Sequence, residues 1–344
     1  MTGRYPRSAQ RPLQTPFGVR NWTSRAEDVT LAGDLPTRED KVHDPLTLLD
    51  ELPALNRPIV VAAFEGWNDA GESATTALEV IRSELSAEQI AQIEAEEFFD
   101  FQAVRPMMRV SPDGQRRIDW PDNRFWATRE RSPHDLVLLT GVEPSLRWKQ
   151  FCDTVLGFAS GLQAEMLITL GGLQVDVPHT RPVPVTATTS NLALAEELGI
   201  QVGTYEGPTG ITGVLHTMAS QAGIPSVSVW TGVPHYLAST TYLPGALSLA
   251  EQVGELGKMD LPLGQLAQDA VQQSDEIAEL VQSDEDLSEY VDELESRSAG
   301  DEPFGLDAPA VEAAEAAGDP LPSDVTADDL AAELEEFLRD NGDR

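Results

Sequence analysis

The hydrophobic and polar positions of this chain follow a repeating unit: a short apolar run, a polar glycine-bearing loop, then an amphipathic helical stretch. Ile59–Phe64 (IVVAAF) precedes EGWNDAG and a helical pattern over Ala70–Leu85. Leu136–Thr140 precedes GVEP and a helix from Ser145, and Met166–Leu170 precedes a double glycine and a proline-containing loop. Val183–Thr188 reads as extended, and Val227–Trp230 precedes TGVPHY. Strand–helix alternation of this kind predicts an α/β layered sandwich with a mostly parallel sheet. MMRVSPDGQRRIDW breaks the pattern: two alternating arms flank Asp113-Gly114, which predicts a β-hairpin inserted at a sheet edge or protruding as an arm.

Both ends differ from this core. Residues 1–50 are rich in Arg, Pro, Gly and Thr without a sustained apolar period and read as a flexible arm, with a short turn at Leu46–Leu49. Residues 51–262 form the α/β core domain. In residues 263–298 the spacing of Ile277, Leu280, Leu287, Val291 and Leu294 predicts two helices sharing one apolar stripe, Ser283 capping the second with Asp286 three residues on. Residues 299–344 read as an acidic disordered tail carrying a short amphipathic helix at 326–339. Leu330, Leu334, Phe337 and Leu338 of that helix share one side and are the candidate partner-binding residues.

Charge sharpens the division. The formal net charge is −35, and residues 251–344 alone hold 28 acidic against 4 basic side chains. Such a chain is not expected to bind nucleic acid or an anionic membrane. Cys152 is the single cysteine, so no internal disulfide or thiolate cage can form, and its helical setting predicts a buried small hydrophobe. No apolar run approaches the roughly 18 residues a membrane span needs, and the N-terminal arginines lack a following apolar core. The expected location is the cytoplasm.

In an open α/β sheet, ligands bind beyond the carboxyl ends of the strands. That rule selects Glu65, Asn68 and Asp69 in the first loop and Glu143 in the second. LGGLQVDVPHTRP supplies Asp176, His179 and Arg181, EGPTGITG supplies Glu206, Thr209 and Thr212, and TGVPHY supplies His235 and Tyr236. Two histidines and several carboxylates have the chemistry of a metal site or an acid–base pair. Asn68 or Asp69 also reads as a helix cap and the histidines as hydrogen-bonded loop residues; the glycine loop resembles an anion cradle but lacks the Walker ending. No serine-hydrolase elbow, His-Glu-x-x-His helix or paired-cysteine motif is present, so no metal or cofactor is expected.

Six of these segments resemble the bacterial branch of the proteasome assembly chaperone (second type) family: FEGWNDAG, FDFQAVRP, TGVEPSLRWKQFC, TLGGLQVDVPHTRPVPVT, YEGPTGITGVLH and WTGVPHYLA. The resemblance runs from about Leu52 to about Arg297. It implies a three-layer α/β/α sandwich of phosphorylase/hydrolase-like type and a homo-oligomer, with a trimer the first guess. It also implies a protein partner, proteasome subunits among the possibilities. In the family, archaeal and eukaryotic assembly factors often dock through a C-terminal hydrophobic-Tyr-any residue tail, a pattern that Asp340–Arg344 does not carry. The family supplies no catalytic residues, so the expectation is a non-enzymatic scaffold or chaperone. The alternative is a small-molecule enzyme of phosphorylase/nucleosidase or carboxylate–amine ligase type, using the loops at the sheet's carboxyl edge.

Overall fold

A computed structural model describes residues 45–111, 113–128 and 133–297. The arm before residue 45, the acidic tail and its helix with Leu330, Leu334, Phe337 and Leu338 lie outside the described residues. In chain order the elements are β1 (Leu46–Leu48), β2 (Ile59–Glu65), α1 (Ser73–Glu84), β3 (Glu88–Ile93), β4 (Met107–Val110) and β5 (Arg116–Asp119). There follow β6 (Asn123–Thr128), β7 (Leu136–Val142), α2 (Trp148–Gly161), β8 (Met166–Val175), β9 (Val185–Thr189) and α3 (Leu192–Leu198). The chain continues through β10 (Gln201–Val202), α4 (Ile211–Gln221), β11 (Ser226–Pro234), α5 (Leu243–Gly257), α6 (Gly264–Ser283) and α7 (Glu285–Arg297).

Nine strands make one sheet in the order β1-β3-β6-β7-β2-β8-β11-β9-β10. Its centre, β7-β2-β8-β11, is parallel, whereas β6 and β9 pair antiparallel on either side of it. The central strands are continuous apolar runs because helices cover both faces. Ile59, Val61 and Ala63 point into a core shared with α1 and α5. Val60, Ala62 and Phe64 point the other way, into a core that includes Phe151, Val155 and Leu215 of α2 and α4. The architecture is therefore the three-layer α/β/α sandwich. Cys152 is fully buried in the second core, and burial pushes its thiol up to about 12.

Local details depart from the sequence expectations in readable ways. Residues 46–48, assigned to the flexible arm, instead form an edge strand against Ala91–Ile93. β3 (EQIAQI) and β6 (NRFWAT) carry no apolar run, since they are outlying antiparallel strands whose alternation is weak. The Asp113-Gly114 hairpin forms, and of the two expected placements it takes the arm: β4 and β5 make a two-stranded sheet apart from the main one. α1 begins at Ser73 because Gly71 and Glu72, within the 3-10 turn at Ala70–Glu72, hold φ of 58° and 46°. α2 begins at Trp148, after Arg147 at φ 54°. The cap of α7 is Asp284, whose Oδ1 accepts from the amides of Asp286 and Leu287 at 3.0 Å each; Ser283 Oγ donates back to Leu280 instead. Ile277, Leu287, Val291 and Leu294 do form one stripe, with Val281 buried in it and Leu280 only partly so, packed on Val233 of β11 and on Tyr236, Leu237 and Tyr242 after it.

Candidate functional site

Because β2, β7, β8 and β11 run the same way, the residues following them emerge at one edge of the sheet. Glu65, Asn68, Asp69, Glu143, His179 and His235 all belong to that edge, where they divide into separate hydrogen-bonded groups. The first centres on Glu143. Its Oε1 accepts from Asn68 Nδ2 at 3.1 Å and from the Ile211 amide at 2.8 Å, and the Glu143 amide donates to the Glu65 carbonyl at 2.9 Å. A carboxylate of the protein's own thus occupies the N-terminus of α4, the place where an anion-cradling loop would hold its guest. Gly210 is required by this packing: a Cβ there would lie 2.0 Å from Asn68 Nδ2 and 2.7 Å from Glu143 Oε1. Glu65 points out, and burial, then Glu72 and Asp122, raise its carboxyl pKa.

Asp69 is a helix cap at one remove. Its Oδ1 accepts from the amides of Ala74 at 2.7 Å and Thr75 at 3.3 Å, and the Thr75 hydroxyl donates to Oδ2. Asp69 is buried, and that burial outweighs the three hydrogen bonds and lifts the carboxyl to about 6.

The histidines form a second group on the other face, beneath α7. His179 Nδ1 and its backbone amide meet Tyr236 Oη at 2.9 and 2.8 Å, and His235 Nε2 meets Tyr290 Oη at 3.0 Å. Asp176 Oδ1 stands 3.4 Å from His235 Nδ1, and Thr180 Oγ1 donates to Glu295 at 2.5 Å. Burial lowers both imidazole pKa values, against an opposing pull from Glu295 on His179 and Asp176 on His235. Among the described residues, no three His, Cys, Asp or Glu side chains come together as metal ligands. Arg181 is exposed on the same loop.

Glu206 departs from the expected edge. It follows β10, which is parallel to β9 and so runs opposite to β11. The segment 203–210 then returns towards Gly210 with Glu206 exposed and Thr209 beside Gly213.

That returning segment closes a cavity of about 360 Å³ over the α4 face of β8, β9 and β11. The sheet register builds its floor: Ser228 lies opposite both Thr169 and Thr188, and Trp230 opposite Gly171 and Thr186. Gly171 has no side chain because the indole lies across it, 2.3 Å from where a Cβ would stand. α4 supplies His216, whose Nδ1 is 2.8 Å from Ser226 Oγ, and burial drops its imidazole to about 4. Of the residues chosen from sequence, only Asn68 and Thr209 line this cavity. His216, Ser228 and Trp230 were missed, although hydroxyls alternating with valine in SVSVW, and the threonines of VTATT, mark a polar stripe on an otherwise buried face.

These features define an α/β/α sandwich whose edge residues Asp69, Glu143, His179 and His235 are hydrogen-bonded into the fold while Glu65 points out, beside a cavity under the 203–210 segment whose lining has no Asp, Glu, Lys or Arg among the described residues. The chain belongs to the PAC2 family, whose profile matches residues 63–281. It is similar to a solved PAC2 family protein from Streptomyces avermitilis, at 42% identity over 68% of this chain and 99% of that one, with a TM-score of 0.64. It is also similar to a proteasome-assembly chaperone homologue from Mycobacterium tuberculosis, at 40% identity, with the same coverage and a TM-score of 0.62. A Pyrococcus furiosus archaeal proteasome activator shares the fold at 18% identity over 69% of this chain and 98% of that one, with a TM-score of 0.56. A search of curated proteins returns no match. Among the described residues no helix is long and apolar enough to cross a membrane.

Proposed function

We propose that this protein is a non-enzymatic, chaperone-like scaffold that self-associates and engages a proteasome-related protein partner. The observation that carries the reading is the 40% identity to the proteasome-assembly chaperone homologue across 99% of that chain. The site supports it: Asp69 and Glu143 accept from the amides that open α1 and α4, and each edge histidine gives one ring nitrogen to a tyrosine. An enzyme of phosphorylase, nucleosidase or ligase type would need such groups turned towards substrate.

Self-association draws support from the hairpin. Met107, Met108, Val110, Ile118 and Trp120 are all about half exposed on it, and two strands alone are marginal in water. A second copy of the chain is the occupant that would cover this face. The test is light scattering on the full chain with and without Met108→Ser and Val110→Ser, together with capture of purified 20S proteasome α subunits. An oligomer dissociated by those changes, and α-subunit capture, support the proposal. A monomer at micromolar concentration that captures no α subunit overturns it.

A further inference from the structure

The cavity lies outside the groups used in that reading, and its lining is selective. We infer that it is a binding site for an uncharged, planar aromatic small molecule with hydrogen-bonding groups on its rim. Its volume, about 360 Å³, is within the range of small-ligand pockets. Three aromatic side chains from three segments line it: Trp67 after β2, Tyr205 in the returning segment, and Trp230 on β11. Trp67 is 54% and Tyr205 39% exposed, so ring surface is left open where a planar guest would cover it.

Hydroxyls of Thr186, Thr188, Ser190, Thr209, Thr217 and Ser228 supply the polar lining. Ser228 is the most informative of them. Its Oγ accepts from Trp230 Nε1 at 2.9 Å and from Thr169 Oγ1 at 3.1 Å. With both acceptor positions filled, its own proton is left to donate into the cavity. His216, tied at Nδ1 to Ser226, keeps Nε2 for a ligand and, with its pKa near 4, is neutral at pH 7.

Charge decides the class of guest. Among the described residues lining the cavity there is no Asp, Glu, Lys or Arg. An ion entering would give up hydration without a counter-charge, whereas a neutral heteroaromatic loses little and gains ring contact and hydrogen bonds.

The experiment is isothermal titration calorimetry of the full chain with matched neutral and anionic probes: adenosine with AMP, nicotinamide with nicotinate, and indole with indole-3-acetate. At least one neutral member is expected to bind with Kd below about 1 mM, its anionic counterpart about tenfold or more weakly. Trp67→Ala, at a half-exposed site, should weaken that binding about tenfold, and Thr188→Val by a smaller factor, with thermal unfolding unchanged. Three results overturn the inference: no neutral probe saturating below 1 mM, neutral and anionic members binding alike, or binding indifferent to both substitutions.

Discussion

Glu143 Oε1 accepts the backbone amide of Ile211 at 2.8 Å, so a carboxylate from the loop after β7 caps a helix 68 residues further along the chain. The same oxygen holds Asn68, which joins the loops after β2 and β7 to the start of α4. Glu143→Ala should lower unfolding free energy by about 1–3 kcal/mol, because a helix cap and a buried amide partner are lost together. Glu143→Gln keeps an acceptor and should recover most of the loss in urea titrations. Equal destabilisation by both variants would refute a capping role.

Gly210→Ala attacks the same junction sterically, since the added methyl would overlap Asn68 Nδ2. A loss of about 1–3 kcal/mol is expected, with faster amide exchange in the first turn of α4. Unchanged exchange there would show that Asn68 moves aside freely.

Asp69 gives a pH signature. Its folded carboxyl titrates near 6, above the roughly 4 of an unfolded aspartate, so between these values the folded state binds the extra proton. Its stabilising contribution is therefore full below about pH 4 and is lost as pH rises through 6. The histidines act oppositely, their lowered folded pKa values withdrawing stability as the medium is acidified. Comparing wild type with Asp69→Asn isolates the aspartate. From pH 7 to pH 4.5 the wild type should gain, relative to the variant, on the order of 2 kcal/mol. Parallel stability curves would contradict this.

Tyr290→Phe removes the hydroxyl that meets His235 Nε2 and leaves the ring packing intact. The expected effect is a loss of about 1 kcal/mol, with increased exchange confined to α7 and the loop after β11. Exchange that rises throughout the sheet would place the effect elsewhere.

Much of the fold was legible in the sequence. IVVAAF, LVLLT and the run from Met166 are uninterrupted apolar stretches because strands buried on both faces have no solvent side to mark. Asp113-Gly114 specified its hairpin locally, and the family segments pointed to the sandwich as a whole. β1, β3 and β6 escaped notice because outlying strands are half-buried and take their definition from a neighbour.

The sequence by itself determined the parallel centre of the sheet, the carboxyl edge and the residue types that gather there. Tertiary structure alone decided what those residues do. Asp69 and Glu143 became helix caps because α1 and α4 present unpaired amides to them, and His235 met Tyr290 because α7 folds back over the end of β11. The cavity was hidden for the same reason. Ser228, Trp230 and Thr188 adjoin only through strand register, with β9 antiparallel to β11, and neither the direction of a strand nor its partner is encoded in the residues of that strand.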